Sequence, residues 1–231
     1  MDHICLSPRL QMVADFVPPC ACAADIGTDH GYLPIWLLQN GVIRSAIAAD
    51  IHAGPLANAR QSAAANDLEE RFRFVQADGL RFPDAQTADV VTIAGMGGET
   101  IRAILAAAPW LRQGKQLVLQ PQSKVPELTD WLWRNGFTIE DAALCRDAGK
   151  RYLALRVLGQ PAVQTYTVEQ LLLRRRDPLL TEHLKEEIRR QTRARAGMAH
   201  AKQIPATELA ALDARLSKLQ ACLKEVQTWQ S

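Results

Sequence analysis

Ala23-Ala24-Asp25-Ile26-Gly27-Thr28-Asp29-His30-Gly31-Tyr32-Leu33-Pro34 is the stretch whose reading decides the fold. Small and apolar residues around one acid read as a short buried strand. Gly27 and Gly31 bracket a turn, and Tyr32-Leu33-Pro34 opens a helix. A strand, turn and helix in this order point backbone N–H groups and a helix N-terminus at an anionic or polar ligand. Glycine lets the chain turn sharply there and lets a ligand come close.

Outward from that turn the same alternation repeats. On its N-terminal side, Leu6–Val17 reads as a helix with Ser7 as N-cap and Pro8 in its first turn, ended by Pro18-Pro19. On its C-terminal side, the helix from Tyr32 stops at Gly41. Strands are expected at 46–51, 72–79, 89–94 and 115–120, separated by helices at 55–66, 100–108 and 126–135. The last pair, 137–145 and 152–158, reads as a hairpin around Arg146–Arg151. Short apolar strands alternating with helices predict an α/β fold: a mostly parallel sheet wrapped on both faces, with the final strand antiparallel.

Beyond Gly159-Gln160-Pro161 the pattern becomes wholly helical. Leu180, Leu184, Ile188 and Gln191 recur at helical spacing. Leu209, Leu212, Leu216, Leu219, Leu223 and Val226 alternate three- and four-residue steps, as a coiled-coil seam does. The expectation is two domains, 1–160 and 161–231, the second an antiparallel helical hairpin of 178–198 and 206–229 interrupted between Gly197 and Pro205. Residues 160–231 carry 12 basic and 8 acidic side chains, against 15 and 17 in the first 159. That asymmetry points to a polyanionic partner for the C-terminal part, although a solvated helix face has the same composition.

The 231 residues, 48% hydrophobic and 23% charged, have ordinary globular composition. No apolar run is long enough for a bilayer, and the N-terminus lacks a signal pattern, so a cytoplasmic protein is expected. The five cysteines are scattered, and Cys20-Ala21-Cys22 is too tight a spacing for a zinc knuckle, so no metal is expected.

In a parallel sheet, ligands bind beyond the C-terminal strand ends. The polar and glycine-rich segments all fall there: Gly27–Gly31, Asp50, Asp78, Gly95–Gly98, Gln120–Gln122 and Lys150-Arg151. A nicotinamide site would need G-x-G-x-x-G, and this turn has Gly27 and Gly31 alone. No Lys-Ser/Thr follows, which argues against a nucleoside triphosphate. The remaining common ligand of this architecture is S-adenosylmethionine. Asp25-Ile26-Gly27-Thr28-Asp29-His30-Gly31 fits its acid-x-Gly-x-Gly-x-Gly frame with Asp29 in the middle-glycine slot. Asp50 then suits the ribose hydroxyls and Asp78 the adenine amine.

Taken together, Asp25–Pro34, Gly54-Pro55-Leu56, Ile93–Gly98, Leu119–Gln122, Leu6–Leu10 and Gly149–Tyr152 resemble the bacterial tRNA adenine-N1-methyltransferases that act on adenine 22. The resemblance covers about residues 4–158 and extends to the helical tail. The family commonly has Glu at position 50, Asn at 122 and an acid at 153, where this chain has Asp50, Gln122 and Leu153. It implies a Rossmann-like class I methyltransferase fold, with a seven-stranded sheet, plus a C-terminal coiled-coil hairpin serving as a tRNA clamp. The implied reaction is methyl transfer from S-adenosylmethionine to adenine N1 in tRNA.

The implied cofactor residues are Arg9, Asp25, Gly27, Asp29, His30 and Gly31. Asp50, Ile51, Asp78 and Gly79 follow, then Ala94, Gly95 and Met96. Gly97, Gly98, Gln120, Pro121, Gln122, Lys150 and Tyr152 would form the base pocket, with Arg189, Arg190 and Arg193 on the RNA backbone. Arg9 has a second reading as an RNA contact. Asp29 is the candidate catalytic carboxylate; its plainer role is cofactor binding or helix capping. A methyltransferase for another substrate, or a nucleoside-binding module that dimerises through the hairpin, are the alternatives. No obligatory protein partner is evident in the sequence.

Overall fold

The computed structural model describes residues 3–199 and 206–228. It divides into two compact units, Met1–Thr165 and Tyr166–Ser231.

The first unit is built on seven strands. They are β1 (Cys20–Ile26), β2 (Ile43–Asp50), β3 (Phe72–Gln76), β4 (Val90–Met96), β5 (Gln116–Pro121), β6 (Thr138–Asp147) and β7 (Lys150–Leu158). Their order across the sheet is β3-β2-β1-β4-β5-β7-β6. All are parallel except β7, which lies antiparallel between β5 and β6. This is the expected mostly parallel sheet with an antiparallel last strand. The order reverses beside β1, with β2 on one side and β4 on the other, which places a topological switch point at the Gly27 turn.

The helices of this unit are α1 (Pro8–Ala14), α2 (Tyr32–Gln39), α3 (Ala53–Ala65), α4 (Gly98–Ala106) and α5 (Val125–Arg134). Ser7 caps α1 through its hydroxyl, with Pro8 in the first turn, as the sequence suggests. Met12, Val13 and Phe16 then pack with Leu37, Ile43 and Val118 over one sheet face. Alanines let the layers approach closely: Ala46, Ala48, Ala49, Ala59 and Ala63 are almost completely buried.

Three boundaries move. β2 starts at Ile43, earlier than expected, because Ile43 is already buried and pairs with Cys20 of β1. β3 stops at Gln76, so Asp78 lies in a turn. The hairpin turn is two residues long: Ala148 (φ +47°) and Gly149 (φ +76°) both take the left-handed conformation. That geometry matches the twist of the flanking strands.

The second unit has an element that the periodicity did not reveal, α6 (Val168–Arg175). Thr167 and Gln170 form a reciprocal capping box at its start. α7 (Leu180–Ala199) and α8 (Ala206–Gln227) pack on each other and on α6. Leu171, Leu172, Leu180, Leu184, Leu216, Leu219 and Val226 form the buried seam. An Arg195–Asp213 ion pair joins α7 to α8. The helix continues through Gly197, where an interruption was expected; the rest of that interval, and the end of the expected second helix at 229, lie outside the described residues.

Candidate active site at the strand-end rim

The turn after β1 is tied to its neighbour. The N–H groups of Gly27 and Thr28 both donate to the Ala49 carbonyl, at 2.8 and 3.1 Å. Gly27 has φ +78°, and a Cβ there would collide with the Met96 methyl group. Gly31 (φ +69°) is the N-cap of α2 and sits against Ala59. Thr28 is buried, whereas Asp29 and His30 point outward, with side chains 73% and 44% exposed. His30 Nε2 lies 3.6 Å from Asp29 Oδ2, and its ring stacks on Tyr32.

Three acids stand at or just beyond the ends of the first three strands. Asp25 Oδ1 accepts a 2.7 Å hydrogen bond from the Thr92 hydroxyl. Burial pushes the Asp25 carboxyl above its ordinary range; the Thr92 and Thr28 hydroxyls oppose that rise, and the Asp50 charge adds to it. Asp50 Oδ1 accepts the His52 N–H at 2.8 Å. Beside it Ile51 is 54% exposed, an apolar surface next to a carboxylate. Asp78 pairs with Arg81 at 2.6 Å. Gly79 (φ +61°) follows, where a Cβ would meet Ile104 at 2.9 Å.

The other half of the rim is neutral and glycine-rich. The β4–β5 register shifts between Ala94 and Met96, and Gly95 has φ +82°. The loop beyond is stitched to the end of β5: Gln122 N–H donates to the Met96 carbonyl and Gly98 N–H to the Ser123 carbonyl, both at 2.9 Å. A Cβ on Gly98 would lie 2.7 Å from the Ser123 oxygen and 2.8 Å from that of Lys124. The missing side chain at Gly98 is therefore required by this close approach. Gln120 and Pro121, both expected in the base pocket, are buried, and the Gln120 amide is taken up by hydrogen bonds to Gly95, Arg9 and Pro121. Gln122 and Lys150 are exposed. Arg9 lies over the half-buried Tyr152 ring at 5.8 Å.

The rim thus collects Arg9, the Gly27–Gly31 turn, Asp50, Asp78, Gly95–Gly97 and Gln122. Thr92 and Arg81 are the additions that sequence reasoning missed. A lone hydroxyl in the apolar run of β4 is the signal for the first; nothing in the sequence marks the second. Arg189, Arg190 and Arg193 are exposed on α7 in the second unit. Arg190 pairs with Glu187 at 2.7 Å, and Arg189 Nε donates to the Lys185 carbonyl.

Among the described residues no cluster of His, Cys, Asp and Glu is arranged for a metal. Burial pushes the Cys20 and Cys222 thiols up to about 11, which disfavours the reactive thiolate. A separate cavity of about 440 Å³, lined by Phe16, Gln116, Glu140 and Arg156 among others, lies at the opposite end of β5 from the rim.

The family model described as a methyltransferase domain matches residues 6–155. The chain belongs to the methyltransferase family. The tRNA (adenine(22)-N(1))-methyltransferase of Bacillus subtilis is 37% identical over 156 residues. That alignment covers 67% of this chain and 66% of the Bacillus protein. Among solved structures, the m1A22 tRNA methyltransferase TrmK of B. subtilis superposes with a TM-score of 0.81 at 28% identity, covering 95% of this chain and 99% of that one. The Streptococcus pneumoniae protein Sp1610, in complex with S-adenosyl-L-methionine, gives 0.77 at 30% identity, covering 95% of this chain and 100% of that one.

The methyltransferase rim fits that cofactor chemically. Asp50 has one carboxylate oxygen on the His52 N–H and the other available for a hydroxyl pair. Exposed Ile51 offers an apolar surface for a purine. At Gly27 and Gly31 the backbone is bare of side chains.

Proposed function

We propose that this protein transfers a methyl group from S-adenosylmethionine to N1 of adenine 22 in tRNA. The observation that carries the reading is the split rim: acids at the ends of β1, β2 and β3 on one side, a neutral glycine-rich loop after β4 on the other, and exposed Asp29 at the switch point between them. The 37% identity to the Bacillus enzyme supports the choice of target base.

When bound, the cofactor supplies an electrophilic methyl group on a sulfonium centre. Asp50 holds its ribose hydroxyls and Asp78 its adenine amine, while Ile51 covers the purine. Gly27 and Gly31 let the backbone approach. Arg9 would supply a cation for its carboxylate. On the substrate side, Gly95–Gly97 and Gln122 border the space for an adenine taken out of its stack. Adenine N1 has a free lone pair, so no base must first remove a proton. The protein's work is alignment and exclusion of water. The methylated base is cationic, and the Asp29 carboxylate opposes that growing positive charge. Asp29 is largely in water without RNA; a bound RNA that displaces this water strengthens its effect.

The second unit supports RNA through Arg189, Arg190 and Arg193, whose charge suits phosphates. Such a protein works in the cytoplasm, where tRNA is found. The test is incubation with labelled S-adenosylmethionine and two tRNA transcripts, one with adenine and one with guanine at position 22. Label enters the first and not the second. Absence of transfer to either removes the proposal.

A further inference from the structure

Gln120 is completely buried at the end of β5, next to the apolar Leu117, Val118 and Leu119. An amide in that position is not explained by core packing, because an apolar residue would fill the space without desolvating a polar group. Its partners explain it. The β4–β5 register shifts between Ala94 and Met96, and Gln120 Oε1 accepts the N–H of Gly95, which lies between them, at 3.1 Å. The same oxygen accepts a second hydrogen bond, from Arg9 Nη1 at 3.0 Å. The amide nitrogen donates to the Pro121 carbonyl at 3.3 Å. Both lone pairs of the oxygen are used, so Gln120 has no acceptor left for a substrate.

The two donors belong to different parts of the rim. Gly95 lies near the end of β4, just before the loop that borders the base space. Arg9 comes from α1, and its guanidinium also lies over Tyr152 of β7. One buried oxygen is therefore hydrogen-bonded to both the bulge and the cation. We propose that Gln120 is a positioning residue for methyl transfer: it acts through Gly95 and Arg9, holding the base-facing loop and the Arg9 guanidinium in one fixed relation. Its kinetic consequences rest on the methyl-transfer reading above; its effect on the Gly95 amide does not.

Two variants separate this role from simple packing. Gln120→Met keeps the length and removes both hydrogen-bonding functions. Gln120→Glu keeps two acceptor oxygens and places a negative charge beside Arg9. In Gln120→Met, kcat for tRNA methylation falls about tenfold or more while KM for tRNA stays within about twofold, the pattern of lost alignment. Amide exchange at Gly95, followed by NMR, becomes about tenfold faster as its acceptor is removed. Gln120→Glu restores slow exchange and most of kcat. S-adenosylhomocysteine affinity, measured by calorimetry, reports the Arg9 arm and weakens in Gln120→Met alone. The proposal is overturned by unchanged Gly95 exchange in Gln120→Met, or by a Gln120→Glu protein as impaired as Gln120→Met. If Gln120→Met does not fold, Gln120→Glu carries the test: fast exchange at Gly95 in that protein overturns the proposal, and protected exchange supports it. A wild-type protein inactive on tRNA would remove the proposed function and leave the exchange measurement standing.

Discussion

Asp25 near the end of β1 and Asp29 in the turn that follows lie four residues apart and do opposite things. Asp29 is exposed and free to face a ligand, whereas Asp25 is held from below by Thr92. Replacing Asp29 by Ala is expected to lower kcat on tRNA by roughly 10- to 100-fold, within the range of one electrostatic interaction with a developing charge. S-adenosylhomocysteine affinity, measured alongside, decides the role: if affinity alone falls, Asp29 is a cofactor ligand. Asp25 has a pH signature. Its folded pKa is raised by burial, so the folded state holds that proton more tightly than the unfolded chain does. Its contribution to stability is present at low pH and is lost as pH rises from the ordinary 3.8 through the folded value. Asp25→Asn removes this dependence. Urea midpoints of the two proteins should therefore diverge in favour of the variant as pH climbs from about 4 towards neutrality.

At the scale of elements, two loops make sharp claims. The start of α4 passes so close to Ser123 and Lys124 that a single methyl group at Gly98 has no room. Gly98→Ala is expected to cost about 1–3 kcal/mol in chemical denaturation, as overpacking typically does. The β6–β7 hairpin carries the reverse opportunity. Ala148 adopts φ +47° in a turn that favours Asn-Gly, so Ala148→Asn should raise stability by about 0.5–1 kcal/mol, read as a higher urea midpoint. Element existence and type were largely legible in the residues. Ser7-Pro8 announced α1, Gly41 closed α2, and the alternation along 46–158 announced the sheet. α6 escaped because its signal is a cap and three leucines over eight residues, too short for a periodic pattern to emerge. Asp78 falls inside the expected strand 72–79, but pairing to β2 ends at Gln76.

Across the whole molecule, the charge excess of the C-terminal region is the property to test. Arg189, Arg190 and Arg193 are exposed on one helix. Replacing all three by Ala is expected to weaken tRNA binding on the order of tenfold at moderate salt and to flatten the dependence of log K on log salt, by about 0.7–0.9 for each phosphate no longer neutralised. Affinity for S-adenosylhomocysteine should not change. An unaltered salt slope would place the RNA-binding surface elsewhere.

The sequence by itself determined the kind of molecule. Residue spacing implies strand, turn and helix locally, and acids at the ends of successive apolar runs imply a polar rim, because side-chain periodicity and backbone sterics act over a few residues. It could not say what each rim residue spends its hydrogen bonds on. Gln120 and Gln122 stand two apart with the same side chain. Tertiary structure buries the first between Arg9 and Gly95, which are 111 and 25 residues away, and leaves the second exposed. Gly97 and Gly98 look alike, yet the carbonyls of Ser123 and Lys124 crowd only the latter. Partners this far along the chain meet only when the sheet has formed, so their roles are decided by packing and desolvation across the assembled rim.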